Sequence, residues 1–118
     1  MELSMLKKHL LNKLGAAEDT PFGPDTLVVK VGGKMFALIS LDEDPLRINL
    51  KCDPDDAQIL RSLFPAIIPG YHMNKEHWNT LILDGSIPNT EIERLIDHSY
   101  DLVFRSLSKK MKNSVLAF

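Results

Sequence analysis

Residues 26–40 read TLVVKVGGKMFALIS, two β-prone runs around the dipeptide Gly32-Gly33. Glycine at both central positions supplies the positive φ that a tight two-residue hairpin turn requires. A phosphate-cradling glycine loop would lead from a strand into a helix, whereas this one leads into a second strand-like run, so it is a turn. A two-residue turn also sets a register: Val31 opposite Lys34, Val29 opposite Phe36 and Leu27 opposite Leu38. Those residues share one face, which the core should claim, and Val28, Lys30, Met35 and Ala37 fall on the other.

Working outward, DEDP (42–45) makes the next turn, and LRINLK (46–51) alternates with Leu46, Ile48 and Leu50 inward and Arg47, Asn49 and Lys51 outward. The three runs form an antiparallel meander with one apolar face and one mixed, partly basic face. Before them, Leu3, Leu6, Leu10 and Leu14 recur at helical spacing, with Gly15 in a capping position and TPFGPD (20–25) as a loop. After them, Asp53 and Pro54 start a helix, the first by accepting hydrogen bonds from free backbone N–H groups and the second by its fitting φ. That helix runs through Ala57, Ile59, Leu60 and Leu63 to Pro65; WNTLILD (78–84) reads as a strand, and a long helix begins near Asn89. Its acids come early and its bases late, which suits the helix dipole. The order predicts an α+β fold, a two-layer sandwich with helices on one face of an antiparallel sheet and the other face free. One domain over residues 1–118 is expected, with a flexible tail over 110–118.

Composition narrows the function. The balance of 14 basic and 16 acidic residues gives a net charge of −2, so nucleic-acid binding would have to come from a local patch and not from the global field. The single cysteine, Cys52, has no internal disulfide partner. No apolar run is long enough to span a membrane, and MELSMLKKHL lacks the layout of a signal peptide, so a cytoplasmic location is expected, with no membrane partner.

The densest chemistry is PGYHMNKEHWNT (69–80), which holds two of the four histidines and the only tryptophan. His72 and His77 stand five apart in a turn-to-strand segment, unlike a helical zinc pair, and no cysteine is near; no metal or other cofactor is expected. Cys52 precedes a helix N-terminus, which favours thiolate, but Asp53, Asp55 and Asp56 crowd the same end and favour the thiol. No nucleophile elbow or acid–base pairing is present, so no catalytic residue is assigned. Two accounts of the block stand side by side. In one, Asn74, Asn79 and the histidines satisfy backbone groups of an irregular segment. In the other, Tyr71, His72, Asn74, Lys75, His77, Trp78 and Asn79 form a recognition surface, with Lys75 on an anion and Tyr71 or Trp78, where exposed, stacking on a base. The outer sheet face adds Lys30, Arg47 and Lys51 as candidate phosphate contacts beside apolar Val28, Met35 and Ala37. His98 and Tyr100 flank the apolar stripe of the last helix, as packed amphipathic side chains do.

The blocks PFGPDTLVVKVGGKMFAL, PGYHMNKEHWNTLILDGSIP and LIDHSYDLV, in that order, resemble the MmcQ/YjbR family of small bacterial proteins. The resemblance implies a frataxin/CyaY-like α+β fold and a "double-wing" DNA-binding label, which rests on fold analogy. It implies no catalytic residues. Frataxin-type iron binding goes with an acidic first helix, whereas MELSMLKKHLLNKL is basic, a departure that weighs against iron. The expectation is a non-enzymatic binding module with DNA as the partner the family label suggests. The alternative is a small-molecule- or protein-binding domain with a pocket around Tyr71, His72, Lys75 and His77, and an enzyme ranks third.

Overall fold

The computed structural model describes residues 1–117. The chain runs α1 (Leu3–Leu11), β1 (Ala16–Asp19), β2 (Thr26–Val31), β3 (Lys34–Ser40), β4 (Arg47–Lys51), α2 (Pro54–Leu63), β5 (Ile67–Pro69), β6 (Trp78–Ile82), α3 (Asn89–Ser106) and α4 (Lys109–Leu116). The strands form one antiparallel sheet in the order β1-β2-β3-β4-β6-β5. Leu6 and Leu10 of α1, Ala57 and Leu60 of α2, Ile92, Leu95, Ile96 and Val103 of α3 and Val115 of α4 join the inward residues of the sheet in one core. The fold is therefore α+β in two layers, with the helices on one face, because each amphipathic helix buries its apolar stripe against the same side of the sheet.

The central hairpin forms on its glycine turn, Gly32 and Gly33 having φ of +57° and +82°. Its register departs from the expected one. Val31 does face Lys34, but Lys30 faces Met35, Val29 faces Ala37, Val28 faces Leu38 and Leu27 faces Ile39, with the shift between Val29 and Lys30. Phe36 is the extra residue of a β-bulge, which leaves two residues on one strand against one on its partner. Phe36 and Ala37 both enter the main core, whereas Leu38 turns to the outer face. Leu38 and Ala37 thus exchange the faces that a bulge-free hairpin would give them.

Other differences follow from short or exposed elements. The first helix stops at Asn12, and Gly15 lies beyond its cap, in the turn into the edge strand β1. In α2, Asp53 caps the N-terminus by accepting from the Asp55 N–H (3.0 Å), but only Ala57 and Leu60 are buried, while Ile59 and Leu63 are exposed. The tail forms α4, with Ser108 capping its start and Val115 buried; Phe118 of that tail lies outside the described residues. The outer sheet face is not free. Val28, Leu38 and Trp78 form a second buried cluster, closed by Met35 and Met73. Among the described residues no helix is long and apolar enough to cross a membrane.

Candidate functional site

The segment between β5 and β6 is built from tight turns. The Gly70 N–H donates to the Trp78 carbonyl (2.9 Å), Met73 N–H to Gly70 (2.9 Å) and His77 N–H to Asn74 (3.1 Å). The Asn74 side chain accepts from the Glu76 N–H at 2.9 Å, an Asx turn that fixes the tip. Arg61 of α2 clamps the segment from below: its Nε donates to Asn79 Oδ1 (2.6 Å), and its Nη2 to the carbonyls of Lys75 and Trp78. Asn79, 2 % exposed, also donates to the Ala57 carbonyl, so its amide is spent on joining β6 to α2. Trp78 is 9 % exposed, its indole lying on Val28 and Leu38 beneath Met73.

With its base held this way, the segment stands over the outer face opposite the 20–25 loop and leaves a groove of about 270 Å³ lined by Phe22, Thr26, Leu38, Ser40, Asn49, His72 and Met73. A smaller depression of about 80 Å³ shares Ser40, Asn49 and His72 with it and adds Glu43, Arg47, Ile68, Tyr71 and Thr80. The two therefore adjoin across Ser40, Asn49 and His72, with Phe22, Leu38 and Met73 on one side and Arg47, Glu43 and Thr80 on the other. Thr80 Oγ1 donates to Asn49 Oδ1 (2.5 Å), which orients the amide of Asn49, one of the three residues common to both parts of the wall.

The expected site residues divide accordingly. Arg47, Tyr71 and His72 meet at the polar end. Tyr71 is 62 % exposed, and the Lys75 ammonium lies 5.3 Å from its ring centroid, a cation–π pair at the segment's outer side. Lys51 pairs across β4–β6 with Trp78, outside the groove lining. Lys30 is drawn to Asp19 (Nζ–Oδ2 3.6 Å) at the β1 edge. Trp78 and Asn79 do not offer their side chains to a partner: one is packed and the other hydrogen-bonded from both ends of its amide. The structural account of the block thus describes Asn74, Trp78, Asn79 and the His77 backbone, which accepts from the Cys52 N–H at 2.7 Å. Phe22, Ser40 and Glu43 are outside the candidates that the sequence offers, while Asn49 lies on the outer face expected for it and Met73 within the 69–80 block. Phe22, a 64 % exposed aromatic between two prolines, carried the one available signal.

Cys52 is poorly placed to act as a nucleophile. Cys52 belongs to the helix-side core, and burial first, with Asp56 and Asp53 adding to it, pushes its thiol up to about 11. A rise from 9.0 to about 11 lowers the thiolate fraction at neutral pH roughly 100-fold. A disulfide reagent such as Ellman's is expected to leave native Cys52 unmodified at pH 8 while reacting fully once urea unfolds the chain; comparable rates in the two states would contradict the burial. Among the described residues no three His, Cys, Asp or Glu side chains gather into a metal-binding group.

A family model described as YjbR matches residues 11–102, which include every strand and both groove-forming loops. The chain belongs to the YjbR family. Among its YjbR-family relatives, the uncharacterised protein YbdF of Escherichia coli O157:H7 is 40 % identical over 95 residues, 80 % of this chain and 78 % of that protein. The uncharacterised protein YjbR of Escherichia coli strain K12 is 31 % identical over 112 residues, 95 % of each. The crystal structure of the Deinococcus radiodurans protein DR2400, with the family-model domain DUF419, superposes with a TM-score of 0.90 at 37 % identity, covering 96 % of this chain and 86 % of that one. A Pseudomonas syringae protein solved by crystallography superposes with a TM-score of 0.76 at 32 % identity, covering 87 % and 99 %.

Proposed function

We propose that this YjbR-family chain is a binding module and not an enzyme, and that its site is the outer-face groove between the 20–25 and 70–77 segments. The observation that carries the reading is that two adjoining depressions share Ser40, Asn49 and His72 in their walls. A concave site with an apolar wall and a few convergent polar groups is what small-ligand binding uses. Support for binding over catalysis comes from Cys52, a nucleophile on the wrong face and held as a thiol.

Nucleic acid is the second reading, and one observation favours it. Tyr71 is exposed with the Lys75 ammonium over its ring, and Arg47 and Tyr71 line the same depression. An aromatic face beside cations suits an unstacked base and its phosphate better than a duplex. Against it stand the covered Trp78 and the Lys30–Asp19 pair, which remove two of the expected contacts. Titration with single-stranded and duplex DNA at low salt separates the readings. The groove reading expects no binding that depends on Lys51 and Lys75. Salt-sensitive binding lost on Lys51→Glu and Lys75→Glu would transfer the function to nucleic acid, because phosphate contacts release counterions.

A further inference from the structure

We infer that the groove takes a small amphipathic anion, a carboxylate on an apolar one- or two-ring body, with the acid at Arg47 and the rings between Phe22, Leu38 and Met73. The inference rests on the groove being the binding site and names what fills it.

The shape argues for the body. An apolar cavity of roughly 150 Å³ accommodates benzene, so the 270 Å³ main groove has room for a second ring. Its apolar walls are an exposed aromatic, a methionine and a leucine, beside the polar Thr26, Ser40, Asn49 and His72, and Trp78 packs with Leu38 and Met73 in one buried cluster. Aromatic and thioether side chains favour ring edges and faces, and a methionine adapts its shape to them.

The charge argues for the head. Arg47 is half-buried on β4 and has no carboxylate within 4 Å among the described residues. A guanidinium carried by a strand residue, with two parallel donors free, matches a carboxylate fork. The Ser40 hydroxyl stands beside it, and so does the Asn49 amide, whose oxygen already accepts from Thr80 and whose NH₂ group is left to donate. Glu43 is the one acid in the lining. It is exposed on the 42–45 turn, as are its neighbours Asp42 and Asp44, so solvent screens its field more than that of the half-buried Arg47. Glu43 therefore opposes the anion weakly, and its removal should help binding.

The test uses 2-naphthoate, the matched neutral alcohol 2-naphthalenemethanol and the matched cation 2-naphthylmethylamine, titrated into the full chain with affinity measured by calorimetry and location by NMR. Expected are tightest binding for the acid, shifts centred on the Met73 methyl and the Phe22 and Asn49 signals, a loss of about tenfold or more in Arg47→Met, and a gain of about threefold in Glu43→Gln, as for a partly screened charge pair. If the alcohol or the amine binds the groove as tightly as the acid, or if Arg47→Met leaves the acid's affinity unchanged, the anion assignment is overturned while the groove stands. If no compound perturbs Phe22, Asn49 or Met73, both fall. Both substitutions are of surface-accessible groups, and retained β-sheet dispersion in the NMR spectrum separates lost binding from lost folding.

Discussion

Trp78→Ala is expected to destabilise the protein by about 3–5 kcal/mol, the range for truncating a large aromatic in a packed core. The melting temperature should fall by roughly 10 °C or more. The indole is 9 % exposed and lies on Val28 and Leu38, themselves 0 % and 7 % exposed, with Met35 and Met73 closing the sides. Removal leaves a void that the two methionines can fill only in part, since the β-sheet below is rigid and the segment above is pinned by Arg61. The effect should be local as well as global. Amide exchange over 70–77 is expected to accelerate more than exchange in α3, and the groove should lose its ligand, because Leu38 and Met73 are shared by the cluster and the groove lining. In the unsubstituted protein, emission from the single tryptophan should be blue-shifted and poorly quenched by iodide. A loss below about 1 kcal/mol, or free quenching of the native fluorescence, would mean the outer cluster is not a second core.

The same cluster shows which parts of the molecule can be read from local sequence. The glycine turn and the alternation of LRINLK depend on residues adjacent in the chain, so the meander and the inward Ile48 and Leu50 follow from pattern alone. The bulge does not. Met35 to Ile39 is an unbroken apolar run, which carries no phase, so one extra residue at Phe36 leaves no mark on the pattern while reversing Ala37 and Leu38. The edge strands β1 and β5 have 4 and 3 residues, too few for either periodicity to show. The coverage of the outer face had a faint trace. Val28 and Met35 were apolar on a face assigned to solvent, and buried apolar residues on the second face of an antiparallel sheet need a cover. What supplies it, Met73 from a turn nearly forty residues downstream of Met35, is set by tertiary geometry. The groove has the same origin: its lining comes from the 20–25 loop, the 42–45 turn, the five strands β2 to β6 and the 70–77 segment, and no local stretch contains it.

Ser99→Ala should cost about 2–4 kcal/mol, far more than the loss of one hydroxyl from an ordinary helix position. The bulge is the reason. An unpaired residue in a bulged strand has backbone groups that the ladder cannot satisfy. Ser99 of α3 is 0 % exposed, and its hydroxyl donates to the Phe36 carbonyl at 2.6 Å. The same oxygen accepts from the Lys51 N–H at 2.9 Å, at the end of β4. One side chain thus satisfies two main-chain groups on neighbouring strands, and alanine, with no shape penalty of its own, would leave one orphaned in the core and one at its margin. Each such group costs about 1–3 kcal/mol when buried, less where water reaches it. The specific signature is the Lys51 amide, whose exchange should accelerate in Ser99→Ala beyond the change in global stability, while Leu50 follows the global value. Unchanged protection at Lys51, or a cost under about 0.5 kcal/mol, would show that the bulge does not need the hydroxyl. Because Lys51 pairs with Trp78 across β4 and β6, loosening it from the helix side should also weaken ligand binding on the opposite face, without any substitution in the groove. A helix serine would then be supporting the floor of a site it never touches, through the strand end between them.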